Sequence, residues 1–222
     1  TVSIGSILIK KEDTPEAIYL LINGLAEALD AERGIANTLT SGALIGERGG
    51  LFGQQTMRTY RAQSFIRVLE IPVGVYRAFI ERNDLRASMV EYLDRKYFLE
   101  GTFLLGDRIA GATRNAIAQE MVEQSAGPTE TVDCGDNILL VAEGAIEVRC
   151  KGKLIAIARS GETVGEPAFL GVERFQMSFT TREATRYFSV PSDLLKQIPI
   201  VSWKLLEQLN RRTRSCSALF QT

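Results

Sequence analysis

Two stretches of this sequence set a glycine directly before a glutamate and follow the pair with a short apolar turn. They are Gly42–Leu51, "GALIGERGGL", and Gly161–Leu170, "GETVGEPAFL". A carboxylate at such a turn accepts hydrogen bonds, either from a ligand or from the backbone amides of its own turn. Downstream of the first pair stand Arg58 and Arg61. A guanidinium is a planar, permanently charged fork that suits phosphate oxygens, so Ile45–Ser64 raises the question of a phosphate cradle. The competing reading makes both arginines solvated residues on a strand face.

Other chemistry has little to stand on. The chain of 222 residues contains no histidine, which removes the commonest general base, the commonest metal ligand and the usual proximal ligand of haem. Serine, threonine and cysteine therefore lack the partner of an ordinary nucleophilic triad. Glu12 and Asp13 sit together in a charged turn, and "GDRIAGATRNAIAQ" (Gly106–Gln119) carries no phosphate-loop lysine. The chain is expected not to be an enzyme. Its 26 basic and 27 acidic residues leave a net charge of −1, so any anion site must be local. Cys134, Cys150 and Cys216 have no metal-type spacing, and their odd number fits buried thiols in a reducing cytosol. No apolar run reaches the roughly 18 residues that span a bilayer. A first residue of threonine suggests part of a longer polypeptide.

The elements that position the Gly-Glu pairs occur twice. Ser41–Pro72 lies over Ser160–Pro191 without a gap, with identities at Ser41/Ser160, Gly42/Gly161, Gly46/Gly165, Glu47/Glu166, Leu51/Leu170, Arg67/Arg186 and Pro72/Pro191. After a one-residue slip, "LLINGLAEAL" (Leu20–Leu29) aligns with "LLVAEGAIEV" (Leu139–Val148). Each copy reads as short strands: residues 7–10, 18–22, 26–29 and 65–71, then 138–141, 145–149, 154–158 and 187–190. Glycines punctuate them as tight turns require. Between the copies, from Val73 to Gln124, apolar residues recur three or four apart and predict helices, with Asn83 or Asp84 as an N-cap. "SDLLKQIP" and "VSWKLLEQLNRRTRS" predict amphipathic helices after Pro191. In the latter, "NRRTRS" (Asn210–Ser215) reads either as a basic patch for nucleic acid or as cations complementing the helix end.

The predicted fold class is mainly β with flanking α: two tandem antiparallel β-roll or jelly-roll barrels, each followed by helices. The predicted first domain spans residues 1–105, a barrel to 72 and helices over 73–105. The second spans 106–222, with leading helices 106–125, a barrel 126–191 and helices 192–222.

"YLLINGLAEAL", "GALIGERGGL" and "GETVGEPAFL" resemble the hairpin and Gly-Glu cassette of the cyclic nucleotide-binding domain, over nearly the whole chain. The resemblance implies that the glutamate binds the ribose 2′-hydroxyl, while helix-start amides and an arginine hold the cyclic phosphate. Carried across, the implied ligand residues are Gly46, Glu47, Thr56, Arg58 and Thr59 in the first copy. In the second they are Gly165, Glu166 and Arg174. The family's arginine position falls on Thr56 in one copy and Phe175 in the other, so Arg58 takes over only through a bulge. Pro167 and the bulky Phe175 and Met177 argue against a nucleotide in the second copy.

Two functions remain open. One is a non-enzymatic regulatory sensor binding a cyclic nucleotide, cAMP or cGMP, in the first copy. The other is a scaffold that oligomerises or docks a partner protein through the helices at Asp84–Leu99 and Ser192–Leu209. Too few residues follow Pro191 for a winged helix-turn-helix, so no direct DNA binding is expected.

Overall fold

The computed structural model describes residues 1–30, 35–106, 109–172 and 177–219. The chain separates into two compact units, residues 1–96 with 109–115, and residues 97–108 with 116–222.

In the first unit, β1 (Ile7–Ile9), β2 (Ala17–Asn23), β3 (Ala26–Asp30), β4 (Ile35–Leu39) and β5 (Leu44–Ile45) precede α1 (Glu47–Phe52). β6 (Thr59–Ala62), β7 (Arg67–Pro72) and α2 (Val73–Arg82) follow. The strands form two antiparallel sheets, ordered β1-β6-β3-β4 and β5-β2-β7. Ile18 and Leu21 of β2, three apart and so on opposite faces of the strand, both have zero exposure, and Leu21 packs with Ile9, Ala26, Ile45, Tyr60 and Ile66. The β2–β3 turn needs its glycine. Gly24 has φ +93, and a Cβ there would come within 2.5 Å of the Phe65 carbonyl oxygen.

Two helices, α3 (Arg86–Glu100) and α4 (Gly111–Glu120), lead onward. Asn83 does not start α3 as predicted. It closes α2, its side-chain amide donating to the Phe79 carbonyl at 2.8 Å, and Asp84 takes a left-handed φ of 52. The helical pattern predicted as far as Gln124 stops at Glu120, because Val122–Ala126 forms a strand, β8.

The second unit continues with β9 (Ile138–Glu143), β10 (Ala145–Cys150), β11 (Lys153–Arg159), β12 (Thr163–Val164) and α5 (Glu166–Phe169). Then come β13 (Met177–Thr181), β14 (Thr185–Val190), α6 (Ser192–Lys196) and α7 (Pro199–Leu219). Its sheets run β11-β10-β13 and β12-β9-β14-β8. Apart from β1 and β8, strand follows strand in the same pairing order as in the first unit. In each unit the strands form two sheets rather than one closed barrel, which refines the predicted barrels while leaving the mainly-β class in place. Val132, Leu139, Val141, Ile146, Val148 and Val164 fill the second core. Fully burying each large aliphatic there contributes about 1.5–3 kcal/mol. Cys134 is a buried free thiol, whereas Cys150 is disulfide-bonded rather than the thiol expected. Among the described residues, no helix is long and apolar enough to cross a membrane.

Candidate functional site

In the first unit the Gly-Glu pair lies where β5 turns into α1. Gly46 caps the helix with φ 84, and a Cβ would approach Ile9 Cδ1 to 2.6 Å, so only glycine fits. The turn carries Glu47 inward to 1 % exposure. There its carboxylate accepts a hydrogen bond from Lys96 Nζ, delivered by α3. α2 also grips the cassette, Arg77 Nε donating to the Gly50 carbonyl at 2.7 Å. On α2, burial first and the Glu47 charge second push the Tyr76 phenol up to about 12. Its hydroxyl is buried without a hydrogen-bond partner among the described residues.

Thr56 is buried and fully engaged elsewhere. Its hydroxyl donates to the Lys10 carbonyl at 2.8 Å, its N–H to the Asp13 carbonyl at 2.9 Å, and its own carbonyl accepts from the Glu12 N–H at 2.8 Å. Where the family resemblance implies an arginine, this chain has a tie to the turn after β1. Arg58 is half-buried on the bend before β6, and Thr59 opens β6, its hydroxyl accepting from the Lys11 N–H at 3.1 Å. Arg61 is drawn to Glu27 of β3, Nε to Oε1 at 2.6 Å, beside Gln63 at 2.8 Å. Burial pushes the Glu27 carboxyl up, but the hydrogen bonds from Gln63 and Arg61, with the Arg61 charge, outweigh it and hold the carboxyl below its usual value.

The second unit repeats the turn and changes the partner. Gly165 has φ 106, and a Cβ would meet the Asn137 carbonyl at 2.6 Å. Glu166 is fully buried, and both its oxygens accept from Arg212 Nη1 of α7 at 2.7 Å. Arg212 Nη2 donates to the Thr163 carbonyl at 2.8 Å. The Thr163 hydroxyl lies 3.0 Å from Glu166 and 2.9 Å from the Gln208 amide oxygen. Burial pushes the Glu166 carboxyl up, with Arg212 and Thr163 pulling against it. Pro167 occupies the first turn of α5 as expected, and Arg174 and Phe175 lie outside the described residues.

Beside α5 opens a cavity of about 580 Å³ lined by Val132, Cys134, Pro167, Ala168, Met177 and Phe179 among others. Burial, then the charges of Glu166 and Asp133, push the Cys134 thiol up to about 12 against the pull of Arg212.

Sequence reasoning missed Lys96, Tyr76 and the inward role of Arg212. The only trace of the last was the cation-rich "NRRTRS", read as a nucleic-acid patch or as cations complementing the helix end. Arg212 is instead 7 % exposed and spent on Glu166.

The family model of the cyclic nucleotide-binding domain matches residues 1–83. Two cGMP-dependent protein kinases, from Eimeria tenella and Toxoplasma gondii, are each 22 % identical to the chain over 198 residues. The alignment covers 87 % of this chain and 19 % of each kinase, so the chain spans about a fifth of these relatives. The cAMP-bound structure of PfPKA-R (141–441) is 16 % identical, with a TM-score of 0.56. It covers 98 % of this chain and 79 % of its own, a likeness of fold.

Proposed function

We propose, from the match of residues 1–83 to the family model of the cyclic nucleotide-binding domain, that the chain is a regulatory module with two tandem copies of the domain, of which only the first takes a ligand. The ligand is a cyclic nucleotide, cAMP or cGMP. Its ribose hydroxyl donates to Glu47, and its phosphate lies toward Arg58 at the mouth of the cassette. Thr56 contributes backbone order rather than charge.

What carries the reading is the difference between the two buried glutamates. Glu47 is held by the flexible amine of Lys96, a point charge that can give up or share its acceptor. Glu166 has both oxygens on one nitrogen, Nη1, of a rigid guanidinium whose Nη2 is tied to the Thr163 carbonyl. An amine is the more exchangeable of the two partners, whereas the second carboxylate already has a ligand-like one. The unpartnered Tyr76 hydroxyl on α2 fits a site whose helices rearrange when occupied.

Ligand at Glu47 competes with Lys96 and so biases where α3 sits, which passes occupancy on as a population shift. The matched relatives are kinases by name, and a protein kinase is the output this reading assigns.

Calorimetric titration with cAMP and cGMP, with adenosine and guanosine as phosphate-free controls, tests the proposal. Saturable heat is expected from a cyclic nucleotide. Glu47→Gln should weaken binding by about one to two decades, the loss of a charge-assisted bond contributing about 1.5–3 kcal/mol. Flat traces at millimolar ligand would overturn it.

A further inference from the structure

One rung of the sheet differs between the units. Ala28, which follows the turn glycine Gly24 at the same interval as Val148 follows Gly144, stands between Tyr60 of β6 and Asn37 of β4. Val148 stands between Phe179 of β13 and Ala156 of β11. An aromatic ring closes each rung on one side. On the other, the second unit has a methyl group and the first an amide.

That amide faces the core. Residues on one rung share a face of the sheet, so Asn37 lies with Ala28 and Tyr60, both members of the first unit's apolar cluster. The next rung, Thr38, Glu27 and Arg61, takes the opposite face. Asn37 is 9 % exposed, and its Nδ2 has no hydrogen-bond partner among the described residues. A buried donor left unpaired forfeits its hydration with nothing in return. The fold does not require it, because alanine closes the same rung in the second unit.

The surrounding side chains are smaller as well. Ala26, Ala28 and Ala62 stand on this face where the second unit carries Ile146, Val148 and Thr181. Ile45, directly before Gly46, belongs to the same cluster as Ala28 and Tyr60, so this face leads to the Glu47 cassette. Small apolar walls with one unsatisfied donor suit a flat heterocycle that carries an acceptor on its rim.

We propose that Asn37 reads the base of the cyclic nucleotide and selects adenine over guanine, an inference that rests on the reading of Glu47 as a nucleotide site. A carboxamide presents a donor and an acceptor side by side. Adenine answers with N7 as acceptor and its N6 amino group as donor, whereas guanine sets two acceptors, N7 and O6, on the same edge. Nδ2 donates to N7 of either base. Oδ1 accepts from adenine N6 but is turned against guanine O6, so the preferred ligand is cAMP.

The test titrates the whole 222-residue chain calorimetrically with cAMP, cGMP and 7-deaza-cAMP, in which a C–H replaces N7. The parent is expected to bind cAMP at least about tenfold more tightly than either of the others. Asn37→Ala should weaken cAMP about tenfold and hold cAMP and 7-deaza-cAMP alike. That variant carries the second unit's residue and loses an unpaired donor, so its urea midpoint should equal or exceed the parent's. A parent that binds all three equally, a variant that keeps the parent's ranking, or a variant with a lowered midpoint would each overturn the role of Asn37. Failure of the cassette reading looks different. No saturable heat from any of the three would remove both, whereas cAMP held equally by parent and variant leaves Glu47 its ligand and overturns Asn37 alone.

Discussion

Replacing Arg212 with methionine should strand a fully buried carboxylate. Glu166 has zero exposure, takes both Nη1 contacts at 2.7 Å from Arg212, and has the Thr163 hydroxyl at 3.0 Å as its other side-chain contact. Removing one member of such a pair costs about 3–5 kcal/mol, because the survivor's desolvation is no longer offset. The same substitution frees the Thr163 carbonyl from its 2.8 Å contact with Nη2, which adds to the cost. With a urea slope near 2 kcal/mol per molar, the unfolding midpoint of the second unit should fall by about 2 M. Exchange of the β9 and β14 amides, which belong to that unit, reports its unfolding along the urea series. Two further measurements guard the interpretation. Glu166→Met combined with Arg212→Met removes both charges at similar volume and should recover most of the loss. The penalty should also depend on pH with a definite sign. A carboxyl whose folded value is raised is stabilising in its protonated form, below its titration, and costly above it. The Arg212→Met deficit should therefore be largest at neutral to alkaline pH and shrink as the solution is acidified. A deficit below about 1 kcal/mol, a double variant as unstable as the single, or a deficit that grows on acidification would refute this account of the pair.

Glu27 should titrate with the opposite sign. Its carboxyl is held below its ordinary value, so its contribution is present above that value and lost as pH falls through the depressed one; Glu27→Gln should flatten the acid limb of the first unit's stability curve. Cys134, pushed up to about 12, should resist iodoacetamide at about pH 8 in the folded chain and label readily in urea, as peptide mapping would show. Rapid labelling of Cys134 in the folded state would contradict its burial.

Much of the fold was legible because its causes are local. The apolar runs Ile18–Ile22 and Ile138–Val141 became β2 and β9, and the three-or-four spacing after Val73 became α2 and α3. Boundaries set by pairing partners were not legible. Val122–Gln124 continues a helical pattern by composition, yet it is β8, because the edge of β14 is there to receive it. Asn83 looks like a helix start, but α2 needed a cap for its last carbonyls first.

At the site, repetition alone was enough to identify Gly46–Glu47 and Gly165–Glu166. Each glycine holds a backbone angle that a side chain resists, and that constraint is visible in residue type. The missing arginine could likewise be read off Thr56. Which cation answers each buried glutamate could not. Lys96 lies 49 residues from Glu47, and Arg212 lies 46 from Glu166, on helices dense with other basic residues. Choosing among them depends on how each helix docks on its unit, a matter of packed surface rather than spacing. Sequence determined where two carboxylates are buried; tertiary structure decided that one is held by a lysine and the other locked by an arginine.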